Sequence, residues 1–464
     1  MTAMRRTTRR GRHAARTLGA AGTTLGMLAT IAVAGNASAA TRQPATSSVT
    51  IKVAVVSNPN MELLEALTPV FEKENPGIKV EYDTLPEDSE RQLIETDVTT
   101  HANEFNAVMI SNYETPIWAK NGWLANLSAY TAKDPSYDVS DLVAPLRQAL
   151  SVDGKLYSVP FYGESSMMYY RTDLFKAAGL TMPMHPTWAQ IASFAQKLNN
   201  PSKGVAGICL RGEPGWGENL AALDTVINTW GGEWFNLKWQ PQLSSAPDEA
   251  ATNFYVNLVR KDGEPGASND GFTECLNDYD AGKAAMWYDA TVAAGTIALN
   301  APSTFKNTGY AYAPTGPAGI ASGWLYTWSL SIPSGTPNES ATWKYLSWAT
   351  GPQIIALQAA KYGWAAVNPG TRTSLYKNPQ YQKAAGAFAG ITLASIDAAN
   401  PEHPTKNPVP YVGIQFVDIP EFIDLGTIVS DQISGAIAGT ESVKTALANS
   451  QQDAEGIVSA NGLS

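Results

Sequence analysis

The chain has 464 residues, 44 % of them hydrophobic and 16 % charged, with 38 glycines and 29 prolines. That length exceeds one compact core, so two domains are expected, and the composition excludes a disordered or fibrous chain. The formal net charge of -10 argues against nucleic acid or an anionic membrane surface as a partner.

Arg5, Arg6, Arg9, Arg10, Arg12 and Arg16 precede the apolar stretch LGMLATIAVA (25–34), and Ala37-Ser38-Ala39 follows. A basic region, a short apolar region and an A-x-A site make residues 1–39 a secretory signal peptide, its apolar stretch too short to span a bilayer. Its removal leaves 26 of the 32 basic residues against all 42 acidic ones. The expected location is periplasmic or secreted. Cys209 and Cys275 are the two cysteines, and an even pair in an oxidising compartment is expected to form a disulfide. Neither lies at the cleavage site, so no lipid anchor is expected.

VTIKVAVVS (49–57) is β-branched and reads as a buried strand. Met61 to Asn75 places Leu63, Leu67, Val70 and Phe71 on one helical face, and Pro76-Gly77 stops it. IKVEYDT (78–84) is a second strand, which completes a right-handed βαβ unit with parallel strands. AVMIS (107–111) is a third strand. The run 156–175 is extended, with Pro160 and Gly163 in it. A helix capped by Thr187 follows over 188–199, then a strand over 205–210 and a helix over 217–232. Residues 278–291 read as a helix end, a turn and a short strand, and residues 338–464 as helices and loops.

FEKENPGIKVEY (71–82), SNYETPIWAKNGWLANLS (111–128), GKLYSVPFYGESSMMYYRTDLFKAAGL (154–180), AGKAAMWYDA (281–290), GPQIIALQ (351–358) and YGWAAVNPGTRTSLY (362–376) occur in this order. Together they resemble an extracellular solute-binding protein of an ABC importer, in the sugar-binding family that includes maltose-binding proteins. The resemblance covers nearly the whole chain after residue 39. ICLRGEPGWGENL (208–220) is similar to the sorbitol/mannitol-binding branch, in which a Cys-Leu-Arg-Gly turn and Gly-Trp-Gly-Glu-Asn recur. The resemblance implies an α/β fold of two lobes closing on ligand about a hinge. It puts the first lobe at 45–160 plus 289–333 and the second at 161–288 plus 334–464, with crossings near Pro160 and Tyr288.

Aromatic faces pack on the CH-rich faces of sugars, amide and charged groups bond their hydroxyls, and strand-end loops place both. The ligand-contact candidates after the first and third strands are Asn58, Asn60, Tyr113 and Glu114, the two asparagines doubling as helix caps. Glu164, just past the first crossing, is a contact or a hinge ion-pair partner. Trp287 and Asp289 flank the expected second crossing, with core packing the bland role for Trp287. Trp324 and Trp328 come from GWLYTW, and Trp364 and Arg372 from the C-terminal stretch, Arg372 having a surface role as alternative. The 208–220 loop contributes Arg211, Trp216 and Asn219, unless it is only a decorated turn.

The implied partners are a sugar or polyol ligand and the transmembrane subunits of an ABC permease, with a monomer and no metal or cofactor expected. No Walker loop, H-E-x-x-H, C-x-x-C or G-x-S-x-G occurs, and His101, His185 and His403 are far apart. The alternatives are a binder of mono-, di- or oligosaccharides, a sensor feeding a membrane receptor, and a secreted glycoside hydrolase using carboxylates among Glu114, Glu164 and Asp289.

Overall fold

The computed structural model describes residues 48–463, so the expected signal peptide lies outside the described residues. Val49–Val56 forms the first strand, and Ile78–Leu85 pairs with it in parallel from Val49↔Ile78 to Val56↔Leu85. Between them Asn58 caps the helix Pro59–Glu65, its side chain accepting from the Met61 amide. The single helix expected over 61–75 is two, because Thr68–Glu74 starts afresh with Pro69 in its first turn. Proline has no N–H for an interior helical bond and fits only at a helix start.

Five strands make the first sheet, in the order Ile78–Leu85, Val49–Val56, Ala107–Ser111, Tyr326–Ser331, Ser158–Glu164. The first three run parallel, and Tyr326–Ser331 pairs antiparallel with both its neighbours. Only Ser165 separates Ser158–Glu164 from Ser166–Arg171, yet the latter lies at the centre of a different sheet, between Met286–Ala290 and Thr308–Tyr312. The chain therefore leaves the first sheet at Ser165 and returns between Tyr312 and Tyr326.

This corrects two expected boundaries. The chain does not return near Tyr288, because Met286–Ala290 pairs with Ser166–Arg171, and after two helices Thr308–Tyr312 pairs with the same strand's other edge. The stretch 289–333 is thus divided between the sheets. So is 334–464, since Glu339–Thr350 packs on Val49–Val56 and Ser158–Glu164, whereas Phe422–Ala438 and Val443–Asn461 pack with Ala246–Asp262. The first crossover is tied to the end of Met286–Ala290: the Ser165 amide donates to Thr291 Oγ1 at 3.2 Å and the Thr291 amide to the Ser165 carbonyl at 2.7 Å. A third passage runs alongside, where the Gly163 amide donates to the Pro369 carbonyl at 3.0 Å. Gly370 is required there, for its φ is +78° and a Cβ would sit 2.1 Å from the Gly163 carbonyl oxygen.

The strand expected over 205–210 is not regular. It makes only the isolated bridges Asn200↔Val205, Ala206↔Ala284 and Cys209↔Trp287, and the Gly207 and Ile208 amides both donate to the Asp262 carbonyl. Cys209 and Cys275 are disulfide-bonded with Cα atoms 5.6 Å apart, which ties this segment to the helix Phe272–Asp280. Among the described residues, no helix is long and apolar enough to cross a membrane.

Candidate ligand-binding site

A cavity of about 300 Å³ lies where the carboxyl ends of first-sheet strands meet the 211–218 loop. Ligands of open α/β sheets sit at such strand ends. Ser57 and Asn58 follow the first strand into it, and Glu87 and Asp88 follow the second, in the first turn of the helix Glu87–Thr100. Glu164 enters from the crossover. Arg211, Trp216 and Glu218 enter from the loop, and Trp324, Trp328 and Gln415 complete one wall.

Asn58 does two things at once: Oδ1 caps its helix at 2.9 Å from the Met61 amide, while Nδ2 points to the Tyr162 hydroxyl at 3.4 Å and the side chain lines the cavity. Glu164 is 7 % exposed and accepts no hydrogen bond from any described residue. Burial pushes its carboxyl well above the usual range, with Arg211 pulling against that. Two further lining residues each carry a buried polar atom without a protein partner, the Trp324 indole Nε1 and the Gln415 Oε1. Arg211 lines the cavity but is spoken for. Its Nε and Nη2 bond both Asp289 oxygens at 2.9 and 2.5 Å, and its Nη1 bonds the Gly217 carbonyl at 2.8 Å and Glu218 at 3.3 Å. Burial opposes the Arg211 charge, and Asp289 and Glu218 more than offset it, so the guanidinium stays charged. Burial pushes Glu218 up to about 8 despite Arg211 beside it.

Trp216 at the loop tip lines the cavity and also closes it. Its ring lies 5.0 Å from Tyr113, and the Arg91 guanidinium stands 4.1 Å above it and 4.7 Å from Trp328. Arg91 thus links the loop to the first sheet through two aromatic faces.

Several candidates lie elsewhere. Asn60 is buried, its Nδ2 bonded to Asn368 Oδ1 at 2.7 Å. Tyr113 donates to the Ile419 carbonyl at 2.8 Å, inside an aromatic cluster with Trp216, Phe416 and Phe422. Glu114 is ion-paired with Arg91 and accepts from the Ser111 amide. Asn219 bonds the Ser430 carbonyl at 3.0 Å and fixes the loop to a neighbouring helix. Trp287 is core, stacked 5.0 Å from Tyr169. Asp289 is fully buried, with its oxygens taken by Arg211, the Trp287 indole and the Ala290 amide. Trp364 is half-buried against the core away from the cavity. Arg372 is fully buried rather than at the surface. It bonds the Thr350 and Asp138 carbonyls and lies over the Tyr137 ring. For Asn60, Tyr113, Glu114, Asn219, Asp289 and Arg372 a buried polar group has found a partner distant in sequence, as burial requires. Of the carboxylates weighed for a hydrolase, Glu164 lines the cavity, whereas Glu114 and Asp289 sit in buried ion pairs and do not line it.

Sequence reasoning passed over Glu87, Asp88, Arg91, Glu218 and Gln415. For the first two a signal existed: PED (86–88) follows the second strand, the same position that nominated residues after the first and third.

The bacterial extracellular solute-binding protein model matches residues 57–356. The chain belongs to this family. Over 404 residues it is 42 % identical to the mannitol-binding protein of Pseudomonas aeruginosa, spanning 87 % of this chain and 92 % of that one. A solved ABC transporter solute-binding protein of Agrobacterium vitis S4 with bound D-mannitol is 47 % identical, with a TM-score of 0.87 over 89 % of this chain and 99 % of that chain. Another, from Agrobacterium radiobacter K84 in complex with ribitol, shares the fold at 20 % identity and a TM-score of 0.78, covering 89 % of this chain and 99 % of that chain. As a family member the chain has the two-lobed α/β solute-binding fold.

Proposed function

We propose that this protein binds a linear polyol, a hexitol such as D-mannitol, in the cavity between its sheets and presents it to the membrane subunits of an ABC importer after export from the cytoplasm. The observation that carries the reading is a set of polar groups without a protein partner on residues that line that cavity: the Glu164 carboxyl, which no described residue hydrogen-bonds, and the buried Trp324 indole N–H and Gln415 carbonyl. Buried polar groups require partners. A polyol, with a hydroxyl on every carbon, both donates and accepts along its length. Trp324, Trp328 and Trp216 offer faces for its CH groups, and Asn58 and Glu218 offer further hydroxyl partners. The cavity's 300 Å³ lies at the small end of ligand sites, which span about 300–1,000 Å³, and this favours a small polyol over an oligosaccharide. Mannitol-bound and mannitol-binding relatives at 47 % and 42 % identity support the same ligand class. Asp289 acts from behind, holding Arg211 and through it the loop. Closure of the loop on the first-sheet strand ends signals occupancy to the permease.

Calorimetric titration of the chain from residue 40 onward against mannitol, sorbitol, ribitol, glucose and maltose tests this. One-site binding of a polyol at micromolar Kd or below, with glucose and maltose weaker, is expected. Binding of maltose alone would replace the polyol with a disaccharide.

A further inference from the structure

The cavity's charge is one-sided. Glu87, Asp88, Glu164, Glu213, Glu218 and Glu274 line it, and Arg211 is its one lining cation among the described residues. Arg211 has its charge matched by the fully buried Asp289, which lies behind it and not on the lining. The nearest other cation, Arg91, is matched by Glu87 and Glu114. The lining therefore carries uncompensated acid groups, and the most buried is Glu164, 7 % exposed, facing the cavity and hydrogen-bonded by no described residue. Such a carboxyl takes a donor from whatever enters. A hydroxyl supplies one neutral donor, whereas an ammonium supplies three donors and the matching charge. An anion entering the same space loses its hydration and meets a lining rich in acid groups, whose one cation is already matched by Asp289, and this disfavours it.

We propose that the cavity selects ligands by charge: it accepts a cationic amino-deoxy polyol, with its ammonium on Glu164, at least as well as the neutral polyol, and excludes polyol phosphates and sugar acids. The inference rests on the polyol reading of the site and adds a ligand class to it.

The test is calorimetry at pH 7.5 and low salt with D-mannitol, 1-amino-1-deoxy-D-mannitol and D-mannonate, plus glucosamine and glucuronate as a cyclic pair. The amino polyol is expected to bind with a Kd equal to or below that of mannitol, and mannonate at least about a hundredfold more weakly. In Glu164→Gln both neutral and cationic ligands weaken, and the amino polyol weakens about tenfold more than mannitol. Mannonate binding as well as the amino polyol, or a ratio unmoved in Glu164→Gln, overturns the inference. If mannitol does not bind but glucosamine does and glucuronate does not, the polyol reading fails while charge selection stands. If nothing binds, both fail. Should Glu164→Gln not fold by circular dichroism, the ordering of the wild-type affinities decides alone.

Discussion

Gly217 of the loop lies against Glu87, at the start of the helix that follows the second strand, and the proposed closure makes this contact. A Cβ built on Gly217 would sit 2.1 Å from Glu87 Oε1 and 3.1 Å from its Cδ, where ordinary contacts lie at 3.4–4 Å. Gly217→Ala therefore forces the Glu87 side chain aside. That carboxylate is not free to move without loss, because Oε1 accepts from Arg91 Nε at 3.2 Å and Nη2 at 2.9 Å. The Glu87 side chain is 20 % exposed, so the pair lies between a surface ion pair, worth about 0.5 kcal/mol, and a buried charged hydrogen bond, worth about 2 kcal/mol. A loss of about 1–2 kcal/mol on closure weakens ligand binding roughly fivefold to thirtyfold. On the proposed closure the open form keeps the two residues apart, and Gly217 has no left-handed backbone conformation to lose. Its thermal stability should then be unchanged. Calorimetry gives the Kd and differential scanning calorimetry the stability of the free protein. An unchanged Kd, or a melting temperature of the free protein that falls in step with affinity, would refute closure of the loop on that helix.

Other consequences follow from the same contacts. Asp289→Asn leaves the buried Arg211 without its charge partner, and should cost about 3–5 kcal/mol in denaturant unfolding together with a large loss of affinity; stability equal to wild type would contradict this. Arg372→Met removes buried bonds to the Thr350 and Asp138 carbonyls, so stability should fall by about 3 kcal/mol while the folded protein keeps its Kd within about twofold. A weaker Kd at unchanged stability would return Arg372 to the site. Reducing the Cys209–Cys275 disulfide, which spans 66 residues, should destabilise by roughly 2–5 kcal/mol without abolishing binding. Glu218 stands at about 8 in the closed cleft, against about 4.3 for an exposed glutamate. A carboxyl raised on closure takes up a proton, so binding of a neutral polyol is strongest at low pH and weakens as pH rises from about 4.3 toward 8. Titrations at pH 5.5 and 8.5, each in two buffers of different ionisation enthalpy, should show tighter binding and net proton uptake at the lower pH; tighter binding at pH 8.5 would contradict the sign.

The fold was legible where one element follows from a local pattern. The β-branched run at 49–57, the alternation at 78–84 and the Thr187 cap gave strands and a helix close to those observed. The return crossing was not, because Met286–Ala290 reads the same whichever sheet it joins, and only its pairing with Ser166–Arg171 decides. The site divides in the same way. Glu164, Arg211, Trp216, Trp324 and Trp328 line the cavity, and each lies next to a crossover, in a glycine-rich loop or in an aromatic strand. Tyr113, Glu114, Asn219 and Asp289 occupy equally suggestive positions, yet their polar atoms are engaged by Ile419, Arg91, Ser430 and Arg211. Those partners lie 23 to 306 residues away in the chain, beyond the reach of any local pattern.

The most direct test of the account is a crystal structure of the protein grown with D-mannitol. The account predicts one extended polyol in the cavity, with hydroxyls on Glu164, the Trp324 indole and Gln415, and Arg211 still bound to Asp289. A ligand outside this cavity, or a mannitol that touches none of the three unpartnered groups, would contradict it.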